Sequence, residues 1–123
     1  MLFRSHGVRL WLVNTGWTGG GFGVGRRMSL SHTRAMISAA LNGDLDNVDA
    51  VVHPVFGLEV PTSCAGVPDE IWDVRGTWSD GQAYDVAAQN LAERSAANFE
   101  SFEAQATEEM KAGSPTFRAA ESA

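Results

Sequence analysis

The chain has 123 residues, a hydrophobic fraction of 44% and a formal net charge of −6. This length allows at most one small domain, and the apolar content is typical of a globular chain. The acidic balance disfavours general nucleic-acid or anionic-membrane binding, so any phosphate site must be a local basic patch.

The single cysteine, Cys64, excludes an intrachain disulfide and a cysteine-based zinc site. No apolar run reaches transmembrane length, and the first residues do not have the pattern of a signal peptide. We therefore expect a cytoplasmic protein.

A glycine-rich loop is the most informative feature of the chain. An apolar run, predicted to be a buried strand from Val8 to Val13, leads into it, and two arginines and a helix follow; residues 11–27 read WLVNTGWTGGGFGVGRR. Glycines let the backbone approach a ligand, arginines neutralise its charge, and the helix contributes the positive end of its dipole. This order of parts predicts an anion site, usually one for phosphate.

The loop matches neither standard nucleotide pattern. Gly20 to Gly25 has the spacing of a P-loop, but Arg26 and Arg27 stand in place of the lysine and the hydroxyl residue. The glycines also run G-x-G-x-G, not G-x-G-x-x-G. A flexible linker is the alternative reading. The aromatic residues Trp11, Trp17 and Phe22 argue against it.

A helix is predicted after the loop. Ser29 or Ser31 would cap its start, and Asn42-Gly43 would end it. The residues Leu30, Ile37 and Leu41 recur near a 3.6-residue period and are expected to face the core, with Arg34 on the same side.

The rest of the chain is predicted as two short extended segments and one long helix. Residues 48–52 and 55–60 are expected to be extended, with a break at His53-Pro54. One helix is expected from Gln82 to about Lys111, with an apolar stripe formed by Tyr84, Ala88, Leu91, Ser95, Phe99 and Phe102. Residues 1–112 would form the structured part, and 113–123 a disordered tail.

These elements are few for an independent domain. They do not obviously form two layers packed around a core, and four tryptophans and six phenylalanines need other side chains to pack against. We therefore expect a mixed α/β fold that is part of a larger body.

The motifs resemble the carboxyl-terminal part of ATP-dependent phosphoenolpyruvate carboxykinase. In order, they are WLVNTGWTGG, GVGRRM, HTRAMI, LNGDLDNV, PVFGLEVPTSC, GVP and TW followed by YD. The resemblance spans roughly residues 7–102. Gly21-Phe22 stands where relatives often have Pro-Tyr, Arg26 replaces a frequent lysine, and Val74 replaces a proline.

The resemblance implies the incomplete carboxyl-terminal portion of a mononucleotide-binding domain. It places the guanidinium of Arg27 near the phosphates or ribose of ATP and Met28 beside the adenine, and Thr33 would donate a hydrogen bond. The family reaction converts oxaloacetate and ATP to phosphoenolpyruvate, CO2 and ADP. The P-loop, the ligands of Mg2+ or Mn2+ and the oxaloacetate-binding arginine would lie in the rest of the polypeptide, so no catalytic or metal-binding residue is assigned here.

Other polar residues have less specific interpretations. Arg26 is expected to be a solvated charge, and Arg34 either a ligand contact or the partner of Asp44 or Asp46. Asn14 and Thr15 are interpreted as turn-capping residues in preference to ligand contacts. The histidines are scattered without metal-ligand spacing, and Cys64 is expected to be structural.

Two alternatives remain open at this stage. A stand-alone, non-catalytic nucleotide- or anion-binding module would also retain the glycine loop. An interaction domain built on the long carboxyl-terminal helix would not depend on Arg27 at all.

Overall fold

The structure, a computed structural model, describes residues 7–115. Its elements, in chain order, are β1 (Trp17–Thr18), β2 (Arg26–Arg27), α1 (Leu30–Asn42), β3 (Ala50–Val52), β4 (Glu59–Pro61), α2 (Gly81–Phe99) and α3 (Glu108–Ala112). Two 3₁₀ turns, Asp69–Ile71 and Glu100–Gln105, complete them. The predicted mixed α/β composition and long helix are confirmed.

The strands form two separate antiparallel hairpins, β1–β2 and β3–β4. A small core lies beneath α1 and contains Ala39, Leu45, Cys64 and Val67, with Trp72 and Ile71 packed against it. Within the described residues, no buried hydrophobic side chain is larger than leucine.

The strand predicted at Val8 to Val13 is absent. The segment has no regular structure, and Leu10 and Leu12 are 76% and 81% exposed. A strand needs a neighbour for its backbone N–H and C=O groups. No other part of the described chain pairs with residues 8–13, so the apolar run lies without a sheet to join.

Both ends of α1 lie where they were predicted, but the side-chain cap expected at its start is absent. Gly43 adopts φ 79°, and the N–H groups of Gly43 and Asp44 bond to the carbonyls of Ala40 and Ala39. This left-handed cap favours glycine. Ser29 occupies the N-cap position, yet its hydroxyl lies 2.8 Å from that of Ser31 and does not cap the helix backbone.

The face of α1 that was expected to be buried points outward. Leu30, Ile37 and Leu41 are 63%, 41% and 82% exposed. Ala39 is buried instead, and Ala35, Met36 and Ala40 pack beside it. Small side chains let the helix lie close to the core. Because α1 is apolar on both sides, its period alone does not identify the buried side.

The β3–β4 hairpin pairs Ala50 with Pro61 and Val52 with Glu59. Its second strand begins at Glu59, not at Val55 as predicted. The ring nitrogen Nδ1 of His53 accepts the backbone N–H groups of Val55 and Phe56, each at 3.2 Å. These hydrogen bonds hold residues 54–57 in a turn, so these residues cannot belong to an extended strand.

The long helix is shorter than predicted. It begins after Asp80, whose carboxylate accepts the N–H groups of Gln82 and Ala83, and the regular α-helix ends at Phe99. The 3₁₀ turn that follows ends at Gln105, and the extended Thr107 then caps α3 by accepting the N–H of Met110. Because that cap begins a new helix, the prediction of a single helix as far as Lys111 is wrong.

The buried side of α2 matches the predicted stripe only in part, at Ala88 and Tyr84. Ala88 and Ala92 are buried and Tyr84 is half-buried, whereas Leu91 and Phe102 are 53% and 55% exposed. The predicted disordered tail lies mostly outside the described residues, which end at 115.

His53 joins the β3–β4 turn to α2. Its Nε2 lies 2.7 Å from the hydroxyl of Tyr84, whose ring meets that of Trp78 edge to face at 5.5 Å. Since Nδ1 accepts two backbone N–H groups, Nε2 carries the ring hydrogen and donates it to Tyr84. The ring can accept at Nδ1 and donate at Nε2 only when the imidazole is neutral. Burial lowers the pKa of His53, which favours this neutral form.

We expect this contact to make stability depend on pH in the acid range. The unfolded chain takes up a proton near the ordinary histidine pKa of about 6.5, before the folded chain does. The stabilisation is therefore complete above that pH and is lost as the pH falls through the lower folded value. Thermal unfolding at pH 7.5 and 5.5 checks this. His53→Gln should flatten the difference, and His32→Gln, on α1, is the matched control; an unchanged difference in His53→Gln would contradict the assignment.

Candidate functional site

The glycine loop is a closed, hydrogen-bonded hairpin. β1 and β2 pair Trp17 with Arg27 and Thr18 with Arg26, and the N–H of Met28 bonds to the carbonyl of Gly16 at 3.0 Å. Hydrogen bonds of this kind are not those of a flexible linker, so that alternative is wrong for this loop.

The backbone explains why glycines occupy the two ends of the loop. A Cβ on Gly25 would lie within 3.0 Å of three backbone atoms of Gly20, and a Cβ on Gly20 would lie within 3.0 Å of the Gly25 nitrogen. The two backbones therefore touch at a distance that only glycine permits. The N–H groups of Val24 and Gly25 both bond to the carbonyl of Gly21. In this arrangement they do not point at an anion.

Three exposed arginines lie at the end of the loop and on α1. Arg26, Arg27 and Arg34 are exposed, and none of them makes an ion pair within residues 7–115. Of the two interpretations of Arg34, the ion pair with Asp44 or Asp46 is wrong for the described residues, because Arg34 makes no ion pair there and Asp46 pairs with Arg9. The guanidinium groups are consequently available to an anionic ligand.

The three predicted nucleotide contacts do not converge on one pocket. Met28 is half-buried and lines a cavity of about 830 Å3, which Arg27 and Thr33 do not line. The Thr33 hydroxyl donates to the carbonyl of Ser29 at 3.2 Å. Its oxygen can still accept a hydrogen bond, but donation to a ligand requires that the hydroxyl leave Ser29.

The cavity lies between residues 9–14, the core side of α1 and the β3–β4 hairpin. It is mainly apolar, and its lining includes Leu10, Leu12, Met36, Val60 and Trp72. The indole nitrogen of Trp72 is buried and has no hydrogen-bond partner in the described structure. A buried indole nitrogen normally has a hydrogen-bond partner, so Trp72 is an exception in this core.

Two interpretations of single residues are supported. The Asn14 side chain accepts the N–H of Gly16 at 3.1 Å, which is the predicted turn-capping role. Cys64 is buried in the core, and burial, followed by the nearby Asp44, raises the pKa of its thiol. A raised pKa keeps the sulfur protonated, which fits a structural cysteine.

The described residues contain no group of three or more His, Cys, Asp and Glu side chains that could hold a metal ion. Nor does any helix within residues 7–115 have the length and apolarity needed to cross a membrane.

The sequence reasoning did not predict two contacts that brace this region. Arg75 donates two hydrogen bonds of 2.9 Å to the carboxylate of Asp85, and these lower the pKa of that carboxyl group. Trp17 meets Phe22 at nearly a right angle, with ring centroids 5.4 Å apart. Both contacts depend on how the intervening turn brings two side chains together, which the spacing of the residues does not specify.

Comparison with known proteins identifies the family. A sequence model of phosphoenolpyruvate carboxykinase matches residues 2–70. The ATP-dependent phosphoenolpyruvate carboxykinases of Flavobacterium johnsoniae and Christiangramia forsetii are 56% and 54% identical to the chain, over 91% of it and 21% of each relative. That of Geobacillus thermodenitrificans is 54% identical over 80% of the chain and 19% of the relative.

The chain spans about a fifth of the length of these relatives. The family model nevertheless covers more than half of the chain, and the sequence resemblance is confirmed. The chain belongs to the ATP-dependent phosphoenolpyruvate carboxykinase family.

Proposed function

We propose that the chain forms the nucleotide side of an ATP-dependent phosphoenolpyruvate carboxykinase, as its carboxyl-terminal segment. The complete cytoplasmic enzyme would convert oxaloacetate and ATP to phosphoenolpyruvate, CO2 and ADP, a step of gluconeogenesis. Membership of the family supports this reaction. Because the chain spans about a fifth of its relatives' length, it would supply only part of the enzyme's site.

The exposed Arg27, free of ion pairs in the described structure, is the observation that carries this proposal. It lies in β2, three residues before α1 begins, and within the matched region. Phosphoryl transfer depends on charge neutralisation and positioning, and a guanidinium supplies both through a planar set of donors. Arg27 would contact the phosphates or ribose, with Met28 on the adenine side and Thr33 as a further hydrogen-bonding group.

The metal and the oxaloacetate would be held elsewhere in the enzyme. Mg2+ or Mn2+ would neutralise phosphate charge, but residues 7–115 contain no suitable cluster of ligands. This chain's part in the reaction is therefore to bind and orient the nucleotide. We assign it no catalytic residue.

The remainder of the carboxykinase polypeptide is the proposed partner. Leu30 and Leu41 on the outer side of α1, and Leu10 and Leu12 beside the cavity, leave apolar surface in water. A helix that is apolar on both sides is typical of the interior of a larger protein. Nucleic acid and membrane have no part in the proposal.

Arg27→Gln tests the nucleotide contact directly. A hydrogen bond to a charged group contributes about 1.5–3 kcal/mol, so we expect ATP affinity to fall roughly 10- to 100-fold. The measurement is calorimetry at fixed ionic strength on a complete relative in which this chain replaces the matching segment. Arg26→Gln is the matched control, because it removes the same charge from the neighbouring residue and should change affinity little. Equal losses in both variants would indicate general electrostatic attraction and contradict the specific role of Arg27.

A further inference from the structure

We propose that Trp17 is a positioning residue for Arg27: its indole packs on the side chain of that arginine and holds the guanidinium in the orientation that contacts the nucleotide. The inference rests on the proposed contact between Arg27 and the phosphates or ribose of ATP, and it leaves the adenine beside Met28. Neither the glycine pattern nor the resemblance assigned a role to Trp17.

The hydrogen bonding of the β1–β2 hairpin places the two side chains close together. Trp17 in β1 is directly opposite Arg27 in β2. The next pair along the hairpin is joined by the hydrogen bond from the N–H of Met28 to the carbonyl of Gly16. Because hydrogen-bonded and non-hydrogen-bonded pairs alternate in an antiparallel ladder, Trp17 and Arg27 form a non-hydrogen-bonded pair, with Cα atoms about 4.5 Å apart. Side chains of such a pair share one face and lie closer together than those of a hydrogen-bonded pair.

Arg27 is a side chain that benefits from a neighbour of this kind. It is exposed and makes no ion pair within the described residues. An arginine has several rotatable bonds, so fixing them when a ligand binds costs conformational entropy. An indole can restrain the side chain beforehand, because arginine stems lie along apolar surface and guanidinium groups stack on aromatic faces.

The ring of Trp17 is itself held in place. Phe22, at the tip of the loop, meets it at 85° with the ring centroids 5.4 Å apart. The close approach of Gly20 and Gly25 closes the loop that carries Phe22. Trp17 is nevertheless 48% exposed, so much of its ring surface lies outside the core of this chain. A ring that is restrained on one side and accessible on another can order the arginine opposite it.

The neighbouring cross-strand pair provides an internal comparison. Thr18 is directly opposite Arg26. Successive residues of a strand project to opposite faces, so this pair lies on the other face of the hairpin from Trp17 and Arg27. Threonine has no ring on which a guanidinium can lie. The difference between the two pairs fits the proposed roles of Arg27 as a nucleotide contact and Arg26 as a solvated charge.

Steady-state kinetics of a complete relative in which this chain replaces the matching segment test the proposal. We expect Trp17→Leu to lower kcat/KM for ATP roughly 3- to 20-fold, mainly by raising KM, because a less ordered Arg27 weakens nucleotide binding in the ground state and the transition state alike. Trp17→Phe, which keeps a ring, should retain most of kcat/KM. Thr18→Val, opposite Arg26, is the matched control and should leave kcat/KM nearly unchanged.

A double-mutant cycle in the same protein shows whether Trp17 acts through Arg27. In the Arg27→Gln background the guanidinium is absent, so we expect the addition of Trp17→Leu to lower kcat/KM by less than about 2-fold further. An equal loss in both backgrounds would mean that Trp17 supports the loop in general, and the positioning role would be wrong. A loss in Arg27→Gln with none in Trp17→Leu would contradict this inference alone, whereas full kcat/KM in Arg27→Gln would contradict the proposed nucleotide contact as well.

A crystal structure of the same protein with Trp17 unaltered and without nucleotide avoids the risk that Trp17→Leu misfolds. We expect the stem of Arg27 to lie within about 4.5 Å of the Trp17 ring in a single conformer. An Arg27 side chain that points away from the ring, or that occupies several conformers without contacting it, would overturn the proposal.

Discussion

Gly25→Ala is expected to disrupt the glycine loop and to reduce ATP affinity by at least about 10-fold. The added Cβ would meet the carbonyl oxygen, the carbonyl carbon and the nitrogen of Gly20, all within 3.0 Å. These are backbone atoms, so no side-chain rotation relieves the contact. The expected strain is on the order of 2 kcal/mol, and it falls on a hairpin whose strands have only two residues each.

The effect should be local to the loop. Hydrogen–deuterium exchange of residues 16–28 measures it, because the N–H groups of Gly25 and Met28 are hydrogen-bonded only while the loop is closed. Gly21→Ala is the matched control in the same loop: a Cβ there meets nothing within 4 Å. If the two variants exchange and bind ATP alike, the contact between Gly20 and Gly25 does not determine the shape of the loop.

Local signals in the sequence predicted the parts of the fold that depend on a few neighbouring residues. Asn42-Gly43 indicated where α1 ends, since the left-handed cap is a property of the glycine backbone itself. The break in the extended chain at His53-Pro54 was likewise located correctly, although the turn there continues into residues that were predicted as strand. In both cases the physical cause lies within a few residues of the element.

Features that depend on distant partners were not predictable in this way. The run from Val8 to Val13 has strand composition, but a strand forms only beside another strand. Leu30, Ile37 and Leu41 have helical spacing, yet the opposite side of α1 packs on the core. Where both sides of a helix are apolar, the neighbouring elements determine which side is buried. The sequence of the helix does not identify those neighbours.

The same distinction applies to the site. Arg27 was proposed as a site residue because a charge after a glycine loop is a chemical signal in itself, and the resemblance assigned it to the nucleotide. Trp17 was named only as an aromatic neighbour of the loop, since its position opposite Arg27 follows from the hairpin register. Register depends on which loop residues form the turn, and five glycines allow several choices.

The second large effect is expected in phosphoenolpyruvate formation, when this chain is transferred into a complete relative. In a chimera, the chain replaces its matching segment, about a fifth of the Flavobacterium johnsoniae enzyme, with which it is 56% identical. We expect this chimera to form phosphoenolpyruvate from oxaloacetate and ATP within about 10-fold of the parent rate, because core packing tolerates hydrophobic substitutions that conserve volume. The isolated chain should form no measurable phosphoenolpyruvate, since charge neutralisation by metal and lysine would come from the rest of the enzyme.

The comparison between chimera and isolated chain separates a segment of an enzyme from an independent binding module. In the chimera, Arg27→Gln should lower kcat/KM for ATP roughly 10- to 100-fold, and Arg26→Gln should leave it nearly unchanged. Measurable turnover by the isolated chain would contradict the assignment of the catalytic groups to the remaining polypeptide. A folded chimera that binds ATP but is inactive would show that this chain retains the family's nucleotide contacts without its catalytic geometry, and the stand-alone binding module would then be the better description.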